Sequence, residues 1–254
     1  MSTENSEVFT RDTLDLYLKE LAKEYKKLGG RNFPIEIILI GGAAIIERYG
    51  FREMTTDIDA VMPAVSIMKE AIRHVGDHFG LPNGWLNEDF KMTDSYSTRL
   101  SQYSVPYKTF NQVLRVRVVT GEYLIAMKLR AGRKYKNDLS DVVGILSEHE
   151  AMGKSIGYDQ IDLAVKNLYG SWEGFSDDSV SFIHHVLEEK DYRGMYEQIR
   201  EGEKKAREIL IESQDASSHA LREDDIDRIL AHQTKQTSKS SVLAQLRQRK
   251  KTVT

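Results

Sequence analysis

Residues 35–42 read IEIILIGG, directly after Pro34. The run is apolar, rich in β-branched isoleucine and too short for a free-standing helix, so it predicts a buried strand over 35–40. Proline before it and paired glycine after it punctuate both ends. Residues 43–48 then read as a short helix. A strand that passes through Gly41-Gly42 into a helix predicts a layered α/β arrangement around that turn. The start of a helix exposes unpaired backbone N–H groups and the positive end of its dipole, a setting that suits a phosphate. Glycine lets the backbone come close to such a group without a Cβ in the way. The same arrangement also arises for packing alone.

The rest of the chain divides at its prolines. All four (Pro34, Pro63, Pro82, Pro106) lie in the first half. The expected fold is therefore a mixed α/β (α+β) first half followed by an all-helical second half. Leu14, Leu18, Leu21, Tyr25 and Leu28 recur at helical spacing over 11–28, stopped by Gly29-Gly30. A second strand is expected at 57–62, an amphipathic helix at 65–78, and irregular loop over 80–105. Residues 113–119, VLRVRVV, alternate and predict a half-buried strand with Arg115 and Arg117 on its outer face. Helices are expected at 121–133, 139–149, 158–169, 177–189, 192–213 and 222–231, with a short one at 242–250. The domain reading is a core over 1–150, a helical domain over 151–231 and a basic tail over 232–254.

The second candidate feature is Asp57-Ile58-Asp59. At a strand start the two carboxylates point the same way, roughly 7 Å apart at Cβ. They repel each other unless a cation sits between them. Oxygen ligands suit Mg²⁺ (or Mn²⁺), which commonly joins a few carboxylates to substrate phosphates. A lone D-x-D is usually a solvated turn, but Ile58 and the Val61-Met62 pair place this one at the entry to a core.

The order strand, Gly41-Gly42, short helix, Arg52, Thr55-Thr56, Asp57-Ile58-Asp59, strand resembles the DNA polymerase β superfamily of nucleotidyltransferases. Within it, Arg52 to Asp59 is a loose version of the R-x-T-x-D-I-D run of bacterial abortive-infection and toxin–antitoxin nucleotidyltransferases. A second block, residues 124–145 (LIAMKLRAGRKYKNDLSDVVGI), resembles that subgroup's lysine-bearing helix, basic turn and helix-starting aspartate. Lys128, Arg133, Lys136, Asp138 and Asp141 stand at those positions. The resemblance covers roughly residues 35–150 and implies a nucleotidyltransferase-fold core with a small mixed sheet. It implies Asp57 and Asp59 as metal ligands and Gly41, Gly42, Arg52, Thr56, Arg133 and Lys136 as nucleotide contacts. Lys128 and Asp138 would complete the catalytic set. Lys128 on a solvated helix face and Asp138 as a plain N-cap are the bland alternatives. The chain departs from the superfamily at its third carboxylate: VLRVRVV offers Arg115 and Arg117, with Glu122 just beyond.

The expected activity is Mg²⁺-dependent transfer of a nucleoside monophosphate from an NTP to an acceptor hydroxyl. That acceptor would be an RNA 3′ end such as tRNA, or a protein side chain. The resemblance implies a toxin–antitoxin or phage-defence setting with a cognate antitoxin or defence-system partner. The alternative is a catalytically degenerate protein serving as a nucleotide sensor or partner-binding subunit.

Composition bounds these readings. The net charge is −3, yet residues 232–254 hold six basic and no acidic side chains, leaving −9 for residues 1–231. Such a tail docks on nucleic acid, on an acidic partner or on its own body, or is simply solvated. There is no cysteine, which excludes disulfides, thiolate metal sites and cysteine nucleophiles. The polar N-terminus lacks an apolar signal core, and no apolar run approaches the roughly 20 residues of a membrane span. A cytoplasmic protein with no membrane partner is expected. His184-His185 lack metal-ligand spacing, no P-loop or G-x-S-x-G is present, and Trp85 and Trp172 form no base-stacking series.

Overall fold

The computed structural model describes residues 8–215 and Ile226. The helices expected at 222–231 (Ile226 apart) and 242–250, and the basic tail, lie outside the described residues. The strands are β1 (Ile35–Leu39), β2 (Ile58–Val61), β3 (Leu86–Asn87), β4 (Ser104–Phe110) and β5 (Leu114–Val119). The helices are α1 (Arg11–Lys27), α2 (Gly41–Arg48), α3 (Ser66–Phe79), α4 (Gly121–Ala131), α5 (Asp138–Ala151), α6 (Tyr158–Tyr169), α7 (Asp177–Glu189) and α8 (Tyr192–Asp215). This is the expected α/β class, and among the described residues the elements after β5 are helices.

One mixed sheet carries the order β3-β2-β1-β5-β4. β1 lies at its centre, parallel to β5 and antiparallel to β2. A central strand covered on both faces needs apolar side chains on both. That accounts for the unbroken run: Ile37, Ile38, Leu39 and Ile40 are all 5% exposed or less. α1 begins at a Thr10 cap whose hydroxyl accepts from the Thr13 N–H, and its stripe Leu14, Leu18, Leu21, Tyr25 is buried. The helix closes at Gly29 (φ +104°), and Gly30 lies so near the Tyr25 ring that a Cβ there would collide with it.

The irregular loop expected over 80–105 contains more order than its sequence suggests. It holds β3, two 3₁₀ turns and the first residues of the edge strand β4. β4 is hidden by Pro106, tolerated because an edge strand can do without a donor, and by a register shift between Pro106 and Lys108. Its turn into β5 places Asn111 (φ 48°) and Gln112 (φ 62°) in the left-handed region, so the hairpin lacks the glycine that usually signals one.

Two compact units emerge. One comprises residues 1–133 and 138–197, and contains the sheet and α1 through α7. The other comprises, of the described residues, 134–137 and those from 198 onward. Within the second, Arg207 on α8 donates to the Tyr135 carbonyl at 3.3 Å and to Asn137 Oδ1 at 2.9 Å. No helix among the described residues is long and apolar enough to cross a membrane.

Candidate active site

The site grows from the end of β1. α2 starts at Gly41 itself, two residues earlier than its apolar pattern suggests. Gly41 has φ +56°, and a Cβ there would stand 3.2 Å from Asp59 Oδ2. At Gly42 a Cβ would collide with Thr55 Oγ1 and lie 2.9 Å from Arg52 Nη2. Both glycines are therefore fixed by their neighbours. The first amides of α2 have no intrahelical partner and no side-chain cap, which leaves a polar N-terminus beside Asp59.

The loop between α2 and β2 carries Arg52 and is pinned at three points. Tyr49 Oη lies 3.0 Å from His149 Nε2. The Phe51 ring fills the space a Cβ on Gly144 would need, 2.5 Å from that position. Thr55 pairs by backbone with Phe9, N to O at 2.9 and 2.7 Å. Gly144 lies three residues after Asp141, on the same face of α5. Seating Phe51 there brings Arg52 against Asp141, Nη1 to Oδ2 at 2.6 Å. Arg52 Nη2 also donates to Thr55 Oγ1 at 3.4 Å, and Thr55 Oγ1 donates to Asp57 Oδ1 at 3.3 Å. Asp57 stands exposed one residue before β2, and Asp59 is half-buried within it.

A second set of charges joins this one. Lys128 Nζ on α4 contacts Asp138 Oδ1 at 2.8 Å and Asp141 Oδ2 at 2.9 Å. Arg133 Nε reaches Asp138 Oδ2 at 2.8 Å, and the Arg133 N–H donates to the same oxygen at 3.3 Å. Asp138 and Asp141 are 0% and 2% exposed. Burial opposes charge on Lys128, yet the two aspartates outweigh it and hold the amine above its usual range. Burial likewise opposes charge on Asp138, and Lys128 and Arg133 overcome it, holding the carboxyl far below the usual carboxylate range. The two bland readings are thus too simple: Lys128 is enclosed rather than solvated, and Asp138 heads α5 inside an ion-pair network.

Of the expected site residues, the structure brings Gly41, Gly42, Arg52, Asp57, Asp59, Lys128, Arg133 and Asp138 into one connected region. Thr56 is exposed next to Asp57. Lys136 lies in the turn 134–137, which groups with the second unit. Thr55, absent from the expected set, is the link between Arg52 and Asp57. Its position two residues before Asp57, on the same side of an extended chain, was the available signal. β5 supplies no third acid: Arg117 pairs in register with Ile38 and is bonded to Ser104, and Glu122 accepts from Thr120 at 2.7 Å. Among the described residues no cluster of three or more His, Cys, Asp or Glu could hold a metal.

The donor set that remains, two carboxylates on one side of a strand with a Cβ-free Gly41 against one of them, suits a single hard divalent cation carrying its own waters. A polar helix start on one side and cations on the other suit an anionic ligand.

No curated protein matches the chain. No solved structure matches it either. A family model described as "Nucleotidyltransferase of unknown function (DUF6036)" matches residues 17–167, a span that includes every strand and all the site residues above. The chain belongs to this nucleotidyltransferase family.

Proposed function

We propose that the protein transfers a nucleoside monophosphate from an NTP to an acceptor hydroxyl, with Mg²⁺ or Mn²⁺ held by Asp57 and Asp59. The observation that carries this reading is the joining of the glycine turn to the acidic pair: Gly41 abuts Asp59, and Gly42 abuts the Thr55 that binds Asp57. A triphosphate would lie on the Gly41-Gly42 helix start, with Thr56 and Arg52 beside it. A bound cation would neutralise phosphate charge there. The acceptor oxygen bonds to the α-phosphorus, the bond from that phosphorus to the bridging oxygen breaks, and its electron pair leaves with pyrophosphate. The hydroxyl proton passes to water.

In this account Lys128 and Asp138 are positioning residues. A carboxylate whose two oxygens both face cations is a poor proton acceptor at neutral pH. An amine shared between two aspartates is not at hand for a phosphate. Their work is to hold Asp141 against Arg52, and through Thr55 to set Asp57. Arg133, with its side chain 29% exposed, is the better placed of the two flanking cations to meet an incoming phosphate.

The acceptor is an RNA 3′ end such as tRNA, or a protein side chain, in a toxin–antitoxin or phage-defence setting. This finer assignment rests on the Arg52–Asp59 run and the 124–145 block alone. A second reading, a nucleotide sensor that does not turn over, draws on the engagement of Asp138 and Asp141 in ion pairs, which leaves no obvious base. Equilibrium binding of labelled NTPs with and without Mg²⁺ tests the shared premise. Binding that needs the metal and is lost in Asp57→Asn supports the site; equal binding by both proteins refutes it.

A further inference from the structure

β2 has a neighbour on the side away from β1, and that neighbour is only two residues long. β3 runs parallel to β2 with Ile58 opposite Leu86 and Asp59 opposite Asn87. Residues in register on adjacent strands, about 4.8 Å apart, point to the same face. Asn87 therefore stands beside Asp59 on the face that the acidic pair shares. The surroundings hold it there. The Ile58 N–H donates to the Trp85 carbonyl at 3.1 Å, and Trp85 and Leu86 are buried at 2% and 3% exposure. The Asn87 amide is itself oriented: Nδ2 donates to the Gly84 carbonyl at 3.0 Å, and Oδ1 accepts from the Asp89 N–H at 2.8 Å. That leaves Oδ1 one lone pair. The adjacent acid is committed elsewhere, since Glu88 accepts from the Met62 N–H at 2.9 Å and pairs with Lys91.

We propose that Asn87 is the third protein donor to the cation held by Asp57 and Asp59, giving a site of two carboxylates and one neutral amide. This rests on the nucleotidyltransferase reading above. An amide oxygen is a hard, uncharged ligand that suits Mg²⁺ or Mn²⁺. With a net ligand charge of two rather than three, the site holds one cation, and the second must come with the nucleotide or be dispensed with.

The test is Mn²⁺ binding to the full-length protein, followed by the loss of the free-ion paramagnetic resonance signal, without nucleotide. Four proteins are compared: wild type, Asp57→Asn, Asn87→Ala and Asn87→Asp. The aspartate variant keeps the acceptor for the Asp89 N–H but gives up the donor to the Gly84 carbonyl, and thermal unfolding checks that each protein is folded. Asn87→Ala is expected to weaken Mn²⁺ by at least about tenfold, since loss of even an outer partner of a metal ligand costs roughly 10–100-fold. Asn87→Asp, which adds a carboxylate, is expected to tighten it. If Asp57→Asn loses Mn²⁺ while both Asn87 variants bind as wild type does, Asn87 is no ligand and the inference falls with the cation site intact. If wild type fails to bind Mn²⁺, or Asp57→Asn binds it equally, the cation site itself is wrong. Should Asn87→Ala unfold, the aspartate variant decides: tighter binding supports the proposal and unchanged binding overturns it.

Discussion

Replacing Lys128 with Met keeps the length of the side chain and removes its charge. Asp138 and Asp141, 0% and 2% exposed, would then keep Arg133 and Arg52 respectively as cationic partners. Removing one partner of a buried ion pair costs about 3–5 kcal/mol. The remaining arginines argue for the low end, about 3 kcal/mol, or roughly 6–12 °C in melting temperature for a chain of this size. The pH dependence has a definite sign. Asp138 has a folded pKa below its ordinary value of 3.8, so its stabilisation is present above that value and is lost as pH falls towards the folded pKa. Lys128, raised above 10.5, contributes fully below that value. Without Lys128 the Asp138 pKa moves back up, and the acid-side loss of stability shrinks. The gap between wild type and Lys128→Met should therefore be widest near neutral pH and close as pH drops below about 4. Thermal unfolding followed by circular dichroism across pH measures both. A variant that melts with wild type at neutral pH, or a gap that stays constant into acid, would refute the account of the network.

Gly42→Ala should collide with Thr55 and displace Arg52, lowering transfer by about 100-fold through misplacement while the protein still folds, as checked by steady-state assay beside a melting curve. Gly30→Ala forces a methyl into the Tyr25 ring and should cost about 1–3 kcal/mol by denaturant unfolding, with nucleotide binding unchanged. Glu47, 7% exposed, has neither oxygen hydrogen-bonded among the described residues, because the Tyr107 hydroxyl donates to Asp15. Burial raises its pKa, so the acid form is favoured by folding and stability falls as pH rises through the folded pKa. Glu47→Gln should match wild type near pH 4 and exceed it by about 1 kcal/mol at pH 8, the low end of the cost of an unsatisfied buried acceptor.

Much of this fold can be read from local pattern. α6 and α7 match their periodicity at both ends, and β1 announces itself through proline, isoleucine and glycine. What stayed hidden depends on partners distant in sequence. β4 has no alternation because Pro106 and a register shift break it. β3 is two residues long and exists only because β2 lies beside it. The site divides in the same way. Gly41, Gly42, Asp57 and Asp59 stand close in sequence, and their chemistry is visible there. The ion-pair network joins Arg52 to residues some 90 positions later. Nothing in the sequence shows that Phe51 seats on Gly144 and so brings Arg52 to Asp141. Sequence also could not show that Lys128 is enclosed by two aspartates.

The most direct test of the central claim is a transfer assay. Purified protein is incubated with each α-³²P-labelled NTP, Mg²⁺ or Mn²⁺ and total tRNA, beside the Asp57→Asn/Asp59→Asn variant. Label is expected to move from one or more NTPs onto RNA or protein, with none transferred by the variant. Label transferred equally by the variant would contradict the assignment of Asp57 and Asp59. Absence of label with every NTP and both metals, while nucleotide still binds, would contradict the enzyme and leave the sensor reading.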